Sequence, residues 1–154
     1  MRKLSQTGLK LIAVITMLLD HLGSVFIHQP RIVFYGLRAI GRISFPIYCF
    51  LITEGVAHTK NPWKYLLRLA ILAVLAEPVF DLAFYGQLTW DKQSVMVTLF
   101  LGALMCILIK RLPKLWMKPF VVIPFYFLTP FLHSDYGNKG ILIIAVFMLT
   151  QELY

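Results

Sequence analysis

The sequence predicts an all-α fold, a polytopic transmembrane bundle of about six membrane segments, and three observations predict it. Hydrophobic residues make up 59% of the 154, and mean hydropathy is +0.76, whereas a soluble domain runs near half apolar. The excess is gathered into long runs rather than spread evenly, and lipid is the solvent that tolerates such runs. Cations and tryptophans collect between the runs, where bilayer interfaces would place them. The length suits one compact bundle, so residues 1–154 read as a single integral membrane domain.

The first run spans Leu9 to Ile27, after Arg2, Lys3 and Lys10. A cleavable signal peptide starts similarly, but Asp20 and His21 lie inside this run and no small-x-small cleavage site follows, so a retained helix is expected. The second runs from Leu37 to Ala57, the third from Tyr65 to Tyr85 and the fourth from Val95 to Ile109. The fifth, Trp116 to Leu132, contains Pro119, Pro124 and Pro130 and should be bent or broken. The sixth begins at Gly140 and continues to Tyr154, short of the ~20 residues a full crossing needs.

Fifteen Lys and Arg against seven Asp and Glu give a net charge of +8. In a soluble chain that balance suggests nucleic acid, but no basic patch with interleaved aromatics lies outside the apolar runs, and no nucleic-acid partner is expected. The cations instead set topology and meet anionic lipid. Arg2, Lys3 and Lys10, then Lys60, Lys64 and Arg68, then Lys110, Arg111, Lys114 and Lys118 fall on one side of an alternating bundle. Arg31, Lys92 and Lys139 are the chief cations of the other connections. The positive-inside rule therefore puts the N-terminus in the cytoplasm. Cys49 and Cys106 lie within apolar runs as small hydrophobes. Neither has metal-site or disulfide spacing, and no metal is expected.

Six charged or titratable groups interrupt the runs: Asp20, His21, Arg38, Arg42, Glu77 and Asp81. A charge near the bilayer centre costs roughly 2.5–3.5 kcal/mol on insertion scales, so these groups must pair or face water. Arg38 and Arg42 share a helix face, as do Glu77 and Asp81. The alternating topology brings all six, with the loop Asp135-Tyr136-Gly137, to one outward level. Ion pairs between helices and snorkelling arginines are the structural account of such groups. His21 points further toward function, because an imidazole at this depth has little structural use and titrates near neutrality. Adjacent residues point about 100° apart, so Asp20 is expected to pair with Arg38 or Arg42, while Glu77 or Asp81 could orient His21. His28, His58 and His133 lie in or near connections and suit solvated surface roles. Glu54 lies at the inner end of the second helix, with a cap at the interface or an inner gate both open.

The stretches LLDHLG (Leu18 to Gly23), LRAIGRISFP (Leu37 to Pro46), YLLRLAILAVLAEPVFDLAFYG (Tyr65 to Gly86) and DYGNKGIL (Asp135 to Leu142) resemble the TraX family. Its members are polytopic inner-membrane proteins named for the enzyme that N-acetylates F-pilin. Firmicute members are often labelled fimbrial assembly proteins, and the family is related to membrane acyltransferases that include the lysosomal heparan N-acetyltransferase. The resemblance runs from Gly8 to Leu142. Family members usually continue through more helices, so the chain reads as C-terminally shortened.

The resemblance implies a multi-pass protein of the bacterial cytoplasmic membrane that transfers an acetyl group from acetyl-CoA to an amine or hydroxyl on the outer side. The acceptor would be a pilin N-terminus or another secreted or envelope substrate. Acyl transfer needs a base for the acceptor's proton and a cationic or hydrogen-bonding partner for the developing oxyanion. On that implication His21 is the base or transient acyl carrier, with Asp20 and Arg42 beside it in the catalytic set. Arg38, Glu77, Asp81, Asp135 and Tyr136 would bind substrate, Arg38 and Arg42 being suited to oxyanion or phosphate. The cations around Lys60, Lys64, Lys110 and Arg111 would attract the nucleotide of the donor. No tightly bound cofactor is implied. Two other readings fit the intramembrane charges: a proton- or ion-coupled transporter, and a non-catalytic pilus or envelope assembly factor.

Overall fold

The computed structural model describes residues 5–26 and 31–153. Arg2, Lys3, Ile27, His28 and Tyr154 lie outside the described residues. Among the described residues the fold is helical, with no strand and one isolated bridge between Gln93 and Ser134. The helices are α1 (Gln6–Phe26), α2 (Arg31–Gly41), α3 (Ser44–His58), α4 (Pro62–Tyr85), α5 (Val95–Arg111), α6 (Lys118–Phe131) and α7 (Gly137–Leu153), and a 3-10 turn (Leu115–Met117) precedes α6.

Two stretches are long and apolar enough to cross a membrane: Gln6–Phe26, of 21 residues, and Arg31–His58, of 28 residues and containing both α2 and α3. Of the six crossings expected from the runs, length and hydropathy support two. The 24-residue α4 is long enough but carries Lys64, Arg68, Glu77 and Asp81. With 17 residues each, α5 and α7 sit at the bottom of the ~17–25 range for spanning helices.

The chain divides into two compact units, Met1–Leu51 and Ile52–Tyr154, and the division falls inside α3. In the first unit α1 packs on α2, and glycine permits the close approach. A Cβ on Gly41 would stand 2.2 Å from the Cβ of Asp20, and one on Gly23 would stand 2.9 Å from the Cβ of Leu37. Small residues let helix backbones approach in this way where lipid gives no hydrophobic drive to association.

The segment expected as one helix from Leu37 to Ala57 is two. The helix is interrupted at Arg42 and Ile43, and Pro46 supplies the reason. A proline has no N–H for the carbonyl four residues back, here Arg42, and its ring crowds that carbonyl. The Ile43 N–H turns instead to the Ile40 carbonyl at 3.1 Å, and the Ser44 hydroxyl donates to the Gly41 carbonyl at 2.7 Å.

In the second unit α4 packs on α5, α5 on α6 and α7, and α6 on α7. The central helix is α5, buried around much of its circumference from Thr98 to Ile109. Gly102 admits the Ile144 side chain of α7 there, since a Cβ would meet its Cδ1 at 2.3 Å. Asn61 caps α4 by accepting from the Lys64 N–H at 3.1 Å, with Pro62 following in the first turn, and Gly86 ends the helix at φ 68°. These are favoured residues for each position.

The break expected at the prolines of the fifth segment does not occur, and the 3-10 turn Leu115–Met117 precedes all three. Pro119 occupies the first turn, where its missing N–H is no loss, and the chain stays helical through Pro124 and Pro130. The last helix begins at Gly137, three residues before the expected Gly140.

Candidate functional site

In the first unit Asp20, Ser24 and Arg38 form a network. Arg38 Nη1 donates to Asp20 Oδ2 at 3.1 Å and to Ser24 Oγ at 2.6 Å, and the Ser24 hydroxyl donates to the Asp20 carbonyl at 2.8 Å. Ser24 is one turn beyond Asp20 on α1, so it shares the face that meets α2. The expected pairing of Asp20 is realised with Arg38. The ion pair is semi-exposed, at 33% for the arginine side chain and 23% for the aspartate, so part of the guanidinium remains open to a ligand. His21 is half-buried on α1, the next residue along from Asp20. Phe34, Tyr35, Arg38, Ala39 and Arg42 line a cleft of about 430 Å³. Its charged groups are both guanidinium, which suits phosphate or carboxylate.

The second unit gathers three predicted carboxylates onto one loop. Both oxygens of Glu77 accept from the Ser94 N–H, at 3.0 and 3.2 Å, and Oε1 also accepts from the Ser94 hydroxyl at 2.7 Å. Asp81 is buried, and its Oδ2 accepts from the Thr89 N–H at 3.1 Å. Asp135 forms an ion pair with Lys92 at 3.0 Å. The segment around Asp135 is fastened to the same loop by backbone, Gln93 N–H to the His133 carbonyl and Asp135 N–H to the Gln93 carbonyl, each at 3.0 Å. The Thr98 hydroxyl donates to the Asp135 carbonyl. His133 and Tyr136 adopt positive φ, 51° and 61°, with Gly137 at 46°, a turn held by these bonds. The loop Thr89–Ser94 was not a predicted element of the site. The signal for it was the Asp-x-x-Ser start preceding α5, a polar segment between apolar runs.

At the other end of the same unit Glu54 is held structurally. It accepts from Gln151 Nε2 at 2.7 Å and lies 3.5 Å from Nδ1 of the exposed His58. Lys110 Nζ donates to the carbonyls of Val56 and Ala57 at 3.2 and 3.0 Å, closing the end of α3, and Arg111 lies 5.1 Å over the Trp63 ring. Lys110 and Arg111 are cations expected to set topology, and here they also tie helix ends together. Among the described residues, no group of three or more His, Cys, Asp and Glu is placed to hold a metal ion.

The family described as TraX protein matches residues 5–153. Over 73 residues the chain is 40% identical to a protein of Dichelobacter nodosus described as probable fimbrial assembly protein FimC, serogroup H1. That match covers 47% of this chain and spans 30% of the relative's length. No solved structure matches.

Proposed function

Since the chain belongs to the TraX family, we propose that it is a multi-pass protein of the bacterial inner membrane that transfers an acetyl group. The donor is cytoplasmic acetyl-CoA, and the acceptor is an amine or hydroxyl on the outer side. Membrane residence is supported by the apolar surface: on α4 alone Leu67, Ile71, Leu72, Val74, Leu75, Val79 and Leu82 are exposed, a stripe that lipid would cover. The six apolar runs support six crossings, and the distribution of cations supports an N-terminus inside.

The observation that carries the chemistry is the Asp20–Ser24–Arg38 network, whose Arg38 lines one cleft with Arg42, His21 being the residue after Asp20 on α1. In this reading the acceptor's lone pair attacks the thioester carbonyl carbon and His21 removes the acceptor's proton. The carbon–sulfur bond breaks, and the CoA thiolate leaves and takes up that proton. Arg38 and Arg42 stabilise the oxyanion or hold the donor's phosphates. Asp20 and Ser24 fix the guanidinium of Arg38, which preorganises one donor.

Reconstituted protein given labelled acetyl-CoA and an acceptor pool is expected to transfer label. His21→Ala should lower the rate by at least ~100-fold, the size of a general-base effect. Normal transfer by that variant sinks the catalytic assignment. A second reading, a fimbrial assembly factor, is favoured by the description of the Dichelobacter relative. It expects copurification with a secreted partner that persists in the His21→Ala, Arg42→Ala double variant.

A further inference from the structure

The second unit contains a larger cleft, of about 520 Å³, between α4, α5 and the loop that joins them. That volume lies within the ~300–1,000 Å³ of small-molecule sites. Its walls are apolar, including Ala73, Val74, Leu88, Trp90, Val97 and Phe100, and its ionisable lining is Glu77 and Asp81 alone. Among the described residues, no lysine, arginine or histidine lines it.

The two carboxylates differ in how well they are satisfied. Glu77 accepts three hydrogen bonds from Ser94. Asp81 is only 6% exposed, and while Oδ2 holds the Thr89 N–H, Oδ1 is buried with no hydrogen-bond partner among the described residues. Buried carboxylate oxygens are nearly always paired, and leaving one unpaired is costly. Asp81 lines the cleft, and the terminal torsion of an aspartate is broad, so the unpaired oxygen can turn toward it. A negative, donor-seeking group at one point of an apolar cleft is complementary to a cation that carries both N–H donors and an apolar body. A soluble anion or a neutral sugar meets the wrong charge or the wrong walls.

We propose that this cleft binds a single-chain amphiphile with a primary ammonium head, the head donating to Asp81 and the chain lying along α4 and α5. Val74 of its wall is 71% exposed, so an amphiphile dissolved in the surrounding lipid or detergent reaches the cleft from the side. Occupancy itself requires no CoA chemistry, so its test is separate from the transfer assay.

The test uses the full chain in neutral detergent, with Trp63→Phe and Trp116→Phe so that Trp90 in the cleft wall reports binding. Dodecylammonium is titrated at low mole fraction beside dodecyltrimethylammonium, which has the charge without N–H donors, and dodecanol. A saturable change in Trp90 emission is expected with dodecylammonium, at least tenfold tighter than with either control. Asp81→Asn should weaken it at least tenfold. Val74→Phe, which adds bulk to the cleft wall and no tryptophan, should weaken it at least tenfold and keeps the test valid if Asp81→Asn does not fold. Equal response to all three amphiphiles, no saturable response, or unchanged affinity in either variant overturns the proposal.

Discussion

Gly41 is where the Asp20–Arg38 pair and helix packing meet. A methyl group there would stand 2.2 Å from the Cβ and 2.7 Å from the Oδ1 of Asp20, so α1 and α2 would have to separate. Overpacking of this kind costs ~1–3 kcal/mol. Gly41→Ala is therefore expected to lower the thermal unfolding midpoint in detergent. Gly36→Ala on the same helix, where nothing lies within 4 Å, should be neutral or stabilising by up to ~1 kcal/mol. Equal midpoints for the two variants would refute the close-approach account. The ion pair that Gly41 permits was legible in the sequence, since helix spacing and alternating topology put Asp20 level with Arg38. Ser24 shares its helix face but was hidden, because a serine in an apolar run carries no charge to betray it. Glu77 and Asp81 were legible as anomalies but not as to partner. Their partners are loop amides at Thr89 and Ser94, and nearly every residue type offers an amide.

Elements were legible where hydropathy and proline chemistry agreed. The runs located the helices, but a run of apolar residues reads the same whether one helix or two carry it. Pro46 was the available signal for the break at Arg42–Ile43, because its effect falls four residues earlier. The three prolines of the fifth segment pulled the other way: Pro119 sits harmlessly in a first turn, and α6 stays helical through Pro124 and Pro130. The break falls beside the arginine cleft, and Pro46 offers no N–H to the Arg42 carbonyl four residues back. Pro46→Ala restores an N–H for that carbonyl. Amide exchange of Ile43, Ser44 and Phe45 should then slow by about tenfold, corresponding to ~1.4 kcal/mol in local opening. Unchanged exchange would mean that packing, not the proline, sets the break.

At the scale of the whole molecule, composition indicated a membrane protein but not the partition into two units, because that depends on which helices touch. Within Ile52–Tyr154 the two ends differ in charge, although Lys92 joins the carboxylates and Glu54 the cations. One end carries Lys110 on the carbonyls of α3, Arg111 over Trp63, and the Lys60–Lys64 connection. The other carries Glu77, Asp81 and Asp135 on the Thr89–Ser94 loop. Cations close to helix ends favour the cytoplasmic side, while acidic residues contribute little to orientation, so the carboxylate end should face outward. Cys49 and Cys106 are both 0% exposed, so cysteines introduced at exposed positions report sidedness against a silent background. In intact cells Asp91→Cys and His133→Cys should react with a membrane-impermeant maleimide, whereas Lys60→Cys and Lys114→Cys should react only after permeabilisation. Labelling of Lys60→Cys in intact cells would invert the orientation. It would also place the carboxylate loop on the side where acetyl-CoA is made, and an outward acceptor site would no longer follow from the topology.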